Sequence, residues 1–320
     1  MVNEFSGIGV VQRALYPRLE AMGLELRVSP EREPSGAGLR DRLAALTTAL
    51  LARPEPGGVY FSTVNPFPLA PGDNAVTLIH DLQWLNTKHG ASRLYHALDL
   101  RRTVKKSRAL LAISERVQRD LLAHFPEDAN KITVCRLGPG IVDVPRFEPR
   151  ASRDIVLMGG APHKRNELAA EMLADAPESF DKIIGIGVSD RTRAIVEDRV
   201  GTDRCIWHYR VPREQVLEIL ATTYAFILLG VEEGFGLPYI EALASGAHVV
   251  AIDQPLTREL LGDAAVLLED AKSEALAKQW LELQSDLPAL QVRQAVASRY
   301  SWDDFAAQAR AVLTSLPPVT

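Results

Sequence analysis

The chain has 320 residues, 47% of them hydrophobic and 24% charged, with a net charge of −5. This is the composition of a soluble protein of one large or two medium domains, and it excludes a disordered, fibrous or strongly basic nucleic-acid-binding chain. No apolar run approaches the roughly 20 residues that span a bilayer, "MVNEFSGIGVVQ" lacks the pattern of a signal peptide, and Cys135 and Cys205 have no metal-ligand spacing, so a cytoplasmic protein is expected.

In chain order, short aliphatic and β-branched runs predict strands over 24–29, 58–63, 75–81, 109–114 and 131–137. They resume over 154–160, 182–188, 205–211, 225–230, 248–253 and 265–270. Amphipathic stretches between them predict helices over 9–22, 38–53, 91–107, 115–124, 164–175, 212–222 and 237–245. The chain then closes with helices over 271–285, 288–299 and 301–315. Continuous apolar strands alternating with helices predict an α/β, doubly wound design with parallel sheets covered on both faces. The Pro- and Gly-rich segment 137–154 breaks the rhythm and reads as a linker, giving domains at 1–146 and 147–301 and a closing helix at 302–320. Charge divides in the same way: residues 1–150 carry 20 Lys+Arg and 16 Asp+Glu, whereas residues 151–320 carry 16 and 25.

The stretch "VEEGFGLPYIEALASG" carries the most chemistry. A buried strand ends at Gly230, and a helix begins with Leu237 and Pro238 and stops at Gly246. The residues between, Glu233, Gly234, Phe235 and Gly236, therefore fall at the carboxyl end of a parallel strand, where open α/β sheets bind ligands. The glycines allow close backbone approach, and the positive end of the helix dipole suits a phosphate. Glu233 in the loop and Glu241 one turn into the helix can both reach one extended ligand. On spacing alone, they can equally be a solvated loop charge and a favourable first-turn acid.

"EEGFGLPYIEALASGAHVVA" resembles the Glu-x7-Glu signature of retaining glycosyltransferases of the GT-B fold, family 4 (glycosyl transferases group 1). The resemblance implies two Rossmann-like domains facing across a cleft, an acceptor domain followed by a nucleotide-sugar donor domain. It implies that Glu233, with the backbone of Gly234, Phe235, Gly236 and Leu237, holds the hydroxyls of the donor sugar, and that Glu241 holds the ribose. A ribose hydroxyl is a good donor to an ionised carboxylate. No Asp-x-Asp sequence occurs, so the metal motif of the other main glycosyltransferase fold is missing. A metal-independent enzyme without a cofactor is expected, the nucleotide-diphosphate sugar being a substrate.

Other segments resemble the same family. "GGAPHKRNEL" places Lys164 and Arg165 where the family has Arg-Lys-Asn, in reversed order, and two cations there would stabilise a departing diphosphate. "VTLIHDLQWL" resembles the strand that ends in His-Asp, and the resemblance gives His80 to the sugar, with a role in the reaction. As a bare pair, His80 and Asp81 equally read as a structural hydrogen bond. "SGIGVVQRAL" resembles the loop bordering the donor phosphates, which gives Gly7 and Gly9 to the donor. The family has a full strand before that loop, whereas this chain offers "MVNEF", either a short strand or a start upstream of Met1. "PLTRELLGDAAVLLED" and "YSWDDFAAQ" resemble further family segments; the second implies that the closing helix returns toward the first domain, and Trp302 reads as a packing anchor.

The implied reaction is transfer of a hexose, with a preference for mannose, to a hydroxyl acceptor on a glycan or lipid-linked glycan. A nucleotide-sugar epimerase and a non-catalytic nucleotide-sugar-binding subunit share the fold and stay open as alternatives. The segment 93–108 carries Arg93, Arg101, Arg102, Lys105, Lys106 and Arg108. It reads either as a solvated helix face or as a contact with an anionic membrane surface.

Overall fold

The aliphatic runs become strands of two parallel sheets, one in each of two units. A computed structural model describes residues 7–26, 58–63, 75–83, 89–139 and 152–316. Met1–Gly140 with Ser301–Thr320 form unit 1, and Ile141–Tyr300 form unit 2. Outside the described residues lie the predicted helix over 38–53, the "MVNEF" start, most of the predicted linker and the second half of the predicted strand over 24–29. The described half of that strand, residues 24–26, is not in a strand.

Unit 1 is built on a sheet of β1 (Tyr60–Ser62), β2 (Ala75–Ile79), β3 (Ser107–Ala112) and β4 (Ile132–Val134), neighbours in that order and all parallel. Among the described residues, α1 (Gly7–Ala21), α2 (Gly90–Lys106) and α3 (Glu115–His124) belong with it. All five residues of β2 are buried, as a strand covered on both faces requires. Ser114 caps α3 by accepting the Val117 N–H. The closing helix of the chain (Trp302–Ser315) also belongs to unit 1. Ser301 caps it by accepting the N–H groups of Asp303 and Asp304. Its Asp303 carboxylate meets Arg18 Nε at 2.6 Å, and its Arg310 donates to the Met22 carbonyl at 3.1 Å. A Cβ at Gly138 would run into the backbone and ring of Trp302, so Trp302 packs where only glycine leaves room.

In unit 2, β5 (Ile155–Met158), β6 (Ile183–Ile186) and β7 (Cys205–His208) run outward in one direction. β8 (Ala225–Leu228), β9 (His248–Ile252) and β10 (Val266–Leu268) run outward in the other. Every pairing is parallel, and β5 lies beside β8 through Ile155↔Ala225 and Val156↔Phe226. Numbered within the unit, this is the doubly wound order 3-2-1-4-5-6, with its switch point between β5 and β8. The helices are α4 (Asn166–Ala174), α5 (Asp190–Val200), α6 (Arg213–Thr222), α7 (Leu237–Ala244), α8 (Pro255–Leu261), α9 (Ser273–Leu283) and α10 (Leu290–Ala297). The closing helix of unit 1 is α11. The predicted helix set lacks α5 and α8, the first mostly polar and the second only seven residues long. The core is an aliphatic cluster around Phe180 and Trp280, drawn from the strands and from α4 and α9.

Candidate functional site

The loops leaving β5 and β8 meet at the switch point, the place where a doubly wound sheet opens a crevice. Glycines let them come together. Gly159 sits at φ +88°, and a Cβ on Gly230 would lie 2.7 Å from the His163 carbonyl. The β8 loop ends at Gly236, which starts α7 at φ +77° where an added Cβ would strike the Tyr239 ring. No side chain caps α7. Among its first three residues Pro238 has no N–H and Tyr239 donates to the Gly236 carbonyl at 2.9 Å, so the helix start offers fewer donors to an anion than the sequence suggests. Tyr239 is fully buried, donates its hydroxyl to the Leu228 carbonyl at 3.0 Å and stacks edge-on with Phe226. Burial, reinforced by the charge of Glu233, holds its phenol well above the usual range.

Lys164 and Arg165 are adjacent in sequence and point to different partners. Pro162–Lys164 form a 3-10 turn, after which Arg165 takes a left-handed conformation at φ 54° and α4 begins. Asn166, the first residue of α4, ties the turn back by donating to the Gly159 carbonyl at 2.7 Å. Lys164 Nζ lies 2.5 Å from Glu233 Oε1, and His163 Nε2 lies 3.8 Å from the same oxygen. Arg165 Nη1 instead meets Asp270 Oδ1 at 2.9 Å and the Leu229 carbonyl at 3.4 Å. Glu233 is only 7% exposed, and Lys164 and His163 are the side chains its carboxylate oxygen meets. The geometry thus joins Lys164 to Glu233 and draws Arg165 toward the end of β10.

Glu241 is completely buried on α7 and meets the guanidinium of Arg213, the first residue of α6. Phe235 turns inward, edge-on to Tyr300 at 5.7 Å, and Tyr300 in turn donates to the Leu260 carbonyl at 2.9 Å. Phe235 therefore anchors the loop. The Gly230 carbonyl accepts from Gln254 Nε2 at 3.0 Å, which ties the loop to the start of α8.

In unit 1, His80 follows β2 and its Nε2 bonds the Thr63 carbonyl at 2.8 Å. The Thr63 hydroxyl meets Gln12 Nε2 and the Tyr16 hydroxyl of α1, each at 2.8 Å. Burial lowers the pKa of His80, against the opposing pull of the Thr63 carbonyl and of Asp81, so the ring favours its neutral form. Gly7 opens α1 with nothing near an added Cβ, and Gly9 is buried. Thr63, Tyr16, Arg213 and Asp270 escape the sequence reading. Each acts on a partner tens of residues away, and only Asp270 lies in a segment the resemblance covers, at its last position and with no partner implied.

Residues 161–313 match the family model described as glycosyl transferases group 1. This region belongs to that family. O-antigen chain mannosyltransferase RfbU of Salmonella typhimurium is 23% identical over 206 residues, 62% of this chain. The aligned region spans 58% of the length of that curated relative. Among solved structures, the glycosyltransferase WaaG, involved in lipopolysaccharide biosynthesis, aligns with a TM-score of 0.71 and 15% identity over 98% of this chain and 97% of its own. HepE from Anabaena, solved with UDP and glucose, aligns with a TM-score of 0.60 and 17% identity over 76% of this chain and 72% of its own. At these identities the structures establish the GT-B type of fold. The group 1 match covers the loop of Lys164 and Arg165, the Glu233–Glu241 junction, Arg213 and Asp270.

Proposed function

We propose that the chain is a metal-independent, retaining hexosyltransferase that uses a nucleotide-diphosphate sugar and a hydroxyl acceptor in glycan or glycolipid assembly, with mannose the favoured sugar. The observation that carries the reading is the Lys164–Glu233 pair at the switch point of unit 2, eight residues from the buried Glu241 on the helix that the same loop begins. The group 1 match and the similarity to a mannosyltransferase support the choice of reaction and sugar.

In this reading the donor takes the place of contacts that the residues of the site make with one another. Lys164 leaves Glu233 for the diphosphate, and Glu233 accepts from hydroxyls of the sugar. The Leu237 end of α7 faces the phosphates, and Glu241, paired with Arg213, accepts from the ribose. The acceptor oxygen forms its bond to the anomeric carbon on the face from which the diphosphate leaves. The bond from that carbon to the phosphate oxygen breaks, and the acceptor proton passes to the departing phosphate. Lys164 stabilises the charge that develops there. His80 serves the sugar in its neutral form.

The test is incubation with UDP-, GDP-, ADP- and TDP-sugars in the presence and absence of a hydroxyl acceptor, following product by mass and anomeric configuration by NMR. Acceptor-dependent release of nucleoside diphosphate with retained configuration, persisting in chelator, is expected. An inverted product or a metal requirement would overturn the mechanism. An epimerised donor formed without acceptor would replace transfer by isomerisation.

A further inference from the structure

Helix α2 has one face turned to the core and one turned outward. Asp99, Leu100, Thr103 and Val104 are buried. Leu94, Tyr95 and Leu98 are 62%, 54% and 60% exposed, the largest concentration of exposed apolar side chains among the described residues. At 3.6 residues per turn, Leu94, Leu98, Arg101 and Lys105 fall in one row along the outer face, with Tyr95 and Arg102 beside it. Arg101, Arg102 and Lys105 are all exposed. The only acid on the helix, Asp99, is on the buried side. A solvated helix face normally mixes charges of both signs and has no need of three exposed large apolar residues; this one sets them between the exposed Arg93 and a cationic end, over about 18 Å in all. The cations sit in the half of the chain that carries 20 Lys+Arg against 16 Asp+Glu, so the face concentrates the positive charge of that half.

We propose that this face is an interfacial element that seats unit 1 on an anionic lipid bilayer. Leu94, Tyr95 and Leu98 enter the boundary between acyl chains and headgroups. Arg101, Arg102 and Lys105 reach lipid phosphates, their aliphatic stems lying along the apolar boundary. The charge pattern favours lipid over nucleic acid, because a polyanion in water gives no return for three exposed apolar side chains, whereas a bilayer repays both halves of the face. Among the described residues no helix is long and apolar enough to cross a membrane, and the attachment is peripheral.

Vesicle sedimentation of the full chain tests this with phosphatidylcholine alone and with phosphatidylcholine containing phosphatidylglycerol. Binding to the anionic vesicles, weakened by salt, and little binding to the neutral ones is expected. Arg101→Gln and Lys105→Gln should each lower the partition coefficient roughly fivefold. Leu94→Ser with Leu98→Ser should lower it at least as much, while thermal unfolding and donor turnover in solution stay at the wild-type values. Wild-type protein that ignores anionic vesicles, or leucine variants that bind them undiminished, would overturn the proposal. So would binding to an RNA homopolymer that matches vesicle binding and is indifferent to the leucines.

Discussion

At the scale of single residues, the site is a set of charges whose partners decide their use. Glu233 and Glu241 stand out in the sequence because they bracket a glycine junction, and the sequence places them on a loop and a helix. It does not place Arg213, which lies 28 positions before Glu241 and meets it only because α6 and α7 flank β8. Removing one member of a buried pair leaves the other without compensation, so Glu241→Ala is expected to destabilise the protein by about 3 kcal/mol, read by urea denaturation. A second residue-scale test lies in unit 1. Burial raises the carboxyl of Asp99 to about 6, with Arg102 pulling the other way, and its Oδ1 has no hydrogen-bond partner. A carboxyl raised above its ordinary value of 3.8 holds its proton more tightly in the folded state. The protein then loses stability as pH rises through the window between those values, and the full loss stands above it. Asp99→Asn removes that loss. The variant should be more stable than wild type by about 2 kcal/mol near pH 8, and the gain should vanish near pH 4, measured as unfolding free energy at each pH.

At the scale of elements, every predicted strand whose segment is fully described is present, most of them trimmed at their ends, because long aliphatic runs in this chain have no competing use. Helix α5 was harder to see. Its sequence DRTRAIVEDRV buries only Thr192 and Val196, and its start is marked chiefly by the Ser189 cap. Helix α8 is short and is fixed by a capping box between Gln254 and Thr257 rather than by a long apolar stripe. The strand order has no local signal: β5 pairs with β8 across about seventy residues, and that pairing sets the switch point. The loop–helix junction then depends on one backbone conformation. Gly236 is left-handed, and a Cβ there would meet the Tyr239 ring. Gly236→Ala is therefore expected to cost about 2 kcal/mol or more in unfolding free energy and to reduce donor affinity, because the loop must shift to clear the ring. A calorimetric trace with an unchanged melting temperature would contradict this account of the junction.

At the scale of the whole molecule, the chain closes on its own beginning. Helix α11 follows unit 2 in sequence but packs with α1, as Arg18–Asp303 and Arg310–Met22 record. The sequence suggests such a return only through resemblance, since a Ser-Trp start followed by an amphipathic helix does not by itself name its partner. Trp302 is 4% exposed, stacks edge-on with Phe305 and fills the space over Gly138. Trp302→Ala should cost about 3 kcal/mol. Hydrogen exchange should show the loss of protection in α1 of unit 1 while the strands of unit 2 keep theirs.

In the proposed function, the switch point of unit 2 binds a nucleoside diphosphate through Lys164. Titration calorimetry with UDP, GDP, ADP and TDP against wild type and Lys164→Met tests it directly. At least one of the four is predicted to bind wild type and to bind the variant at least tenfold more weakly, the loss of one charge-assisted contact to phosphate. Absence of binding by all four, or equal dissociation constants for the two proteins, would contradict it.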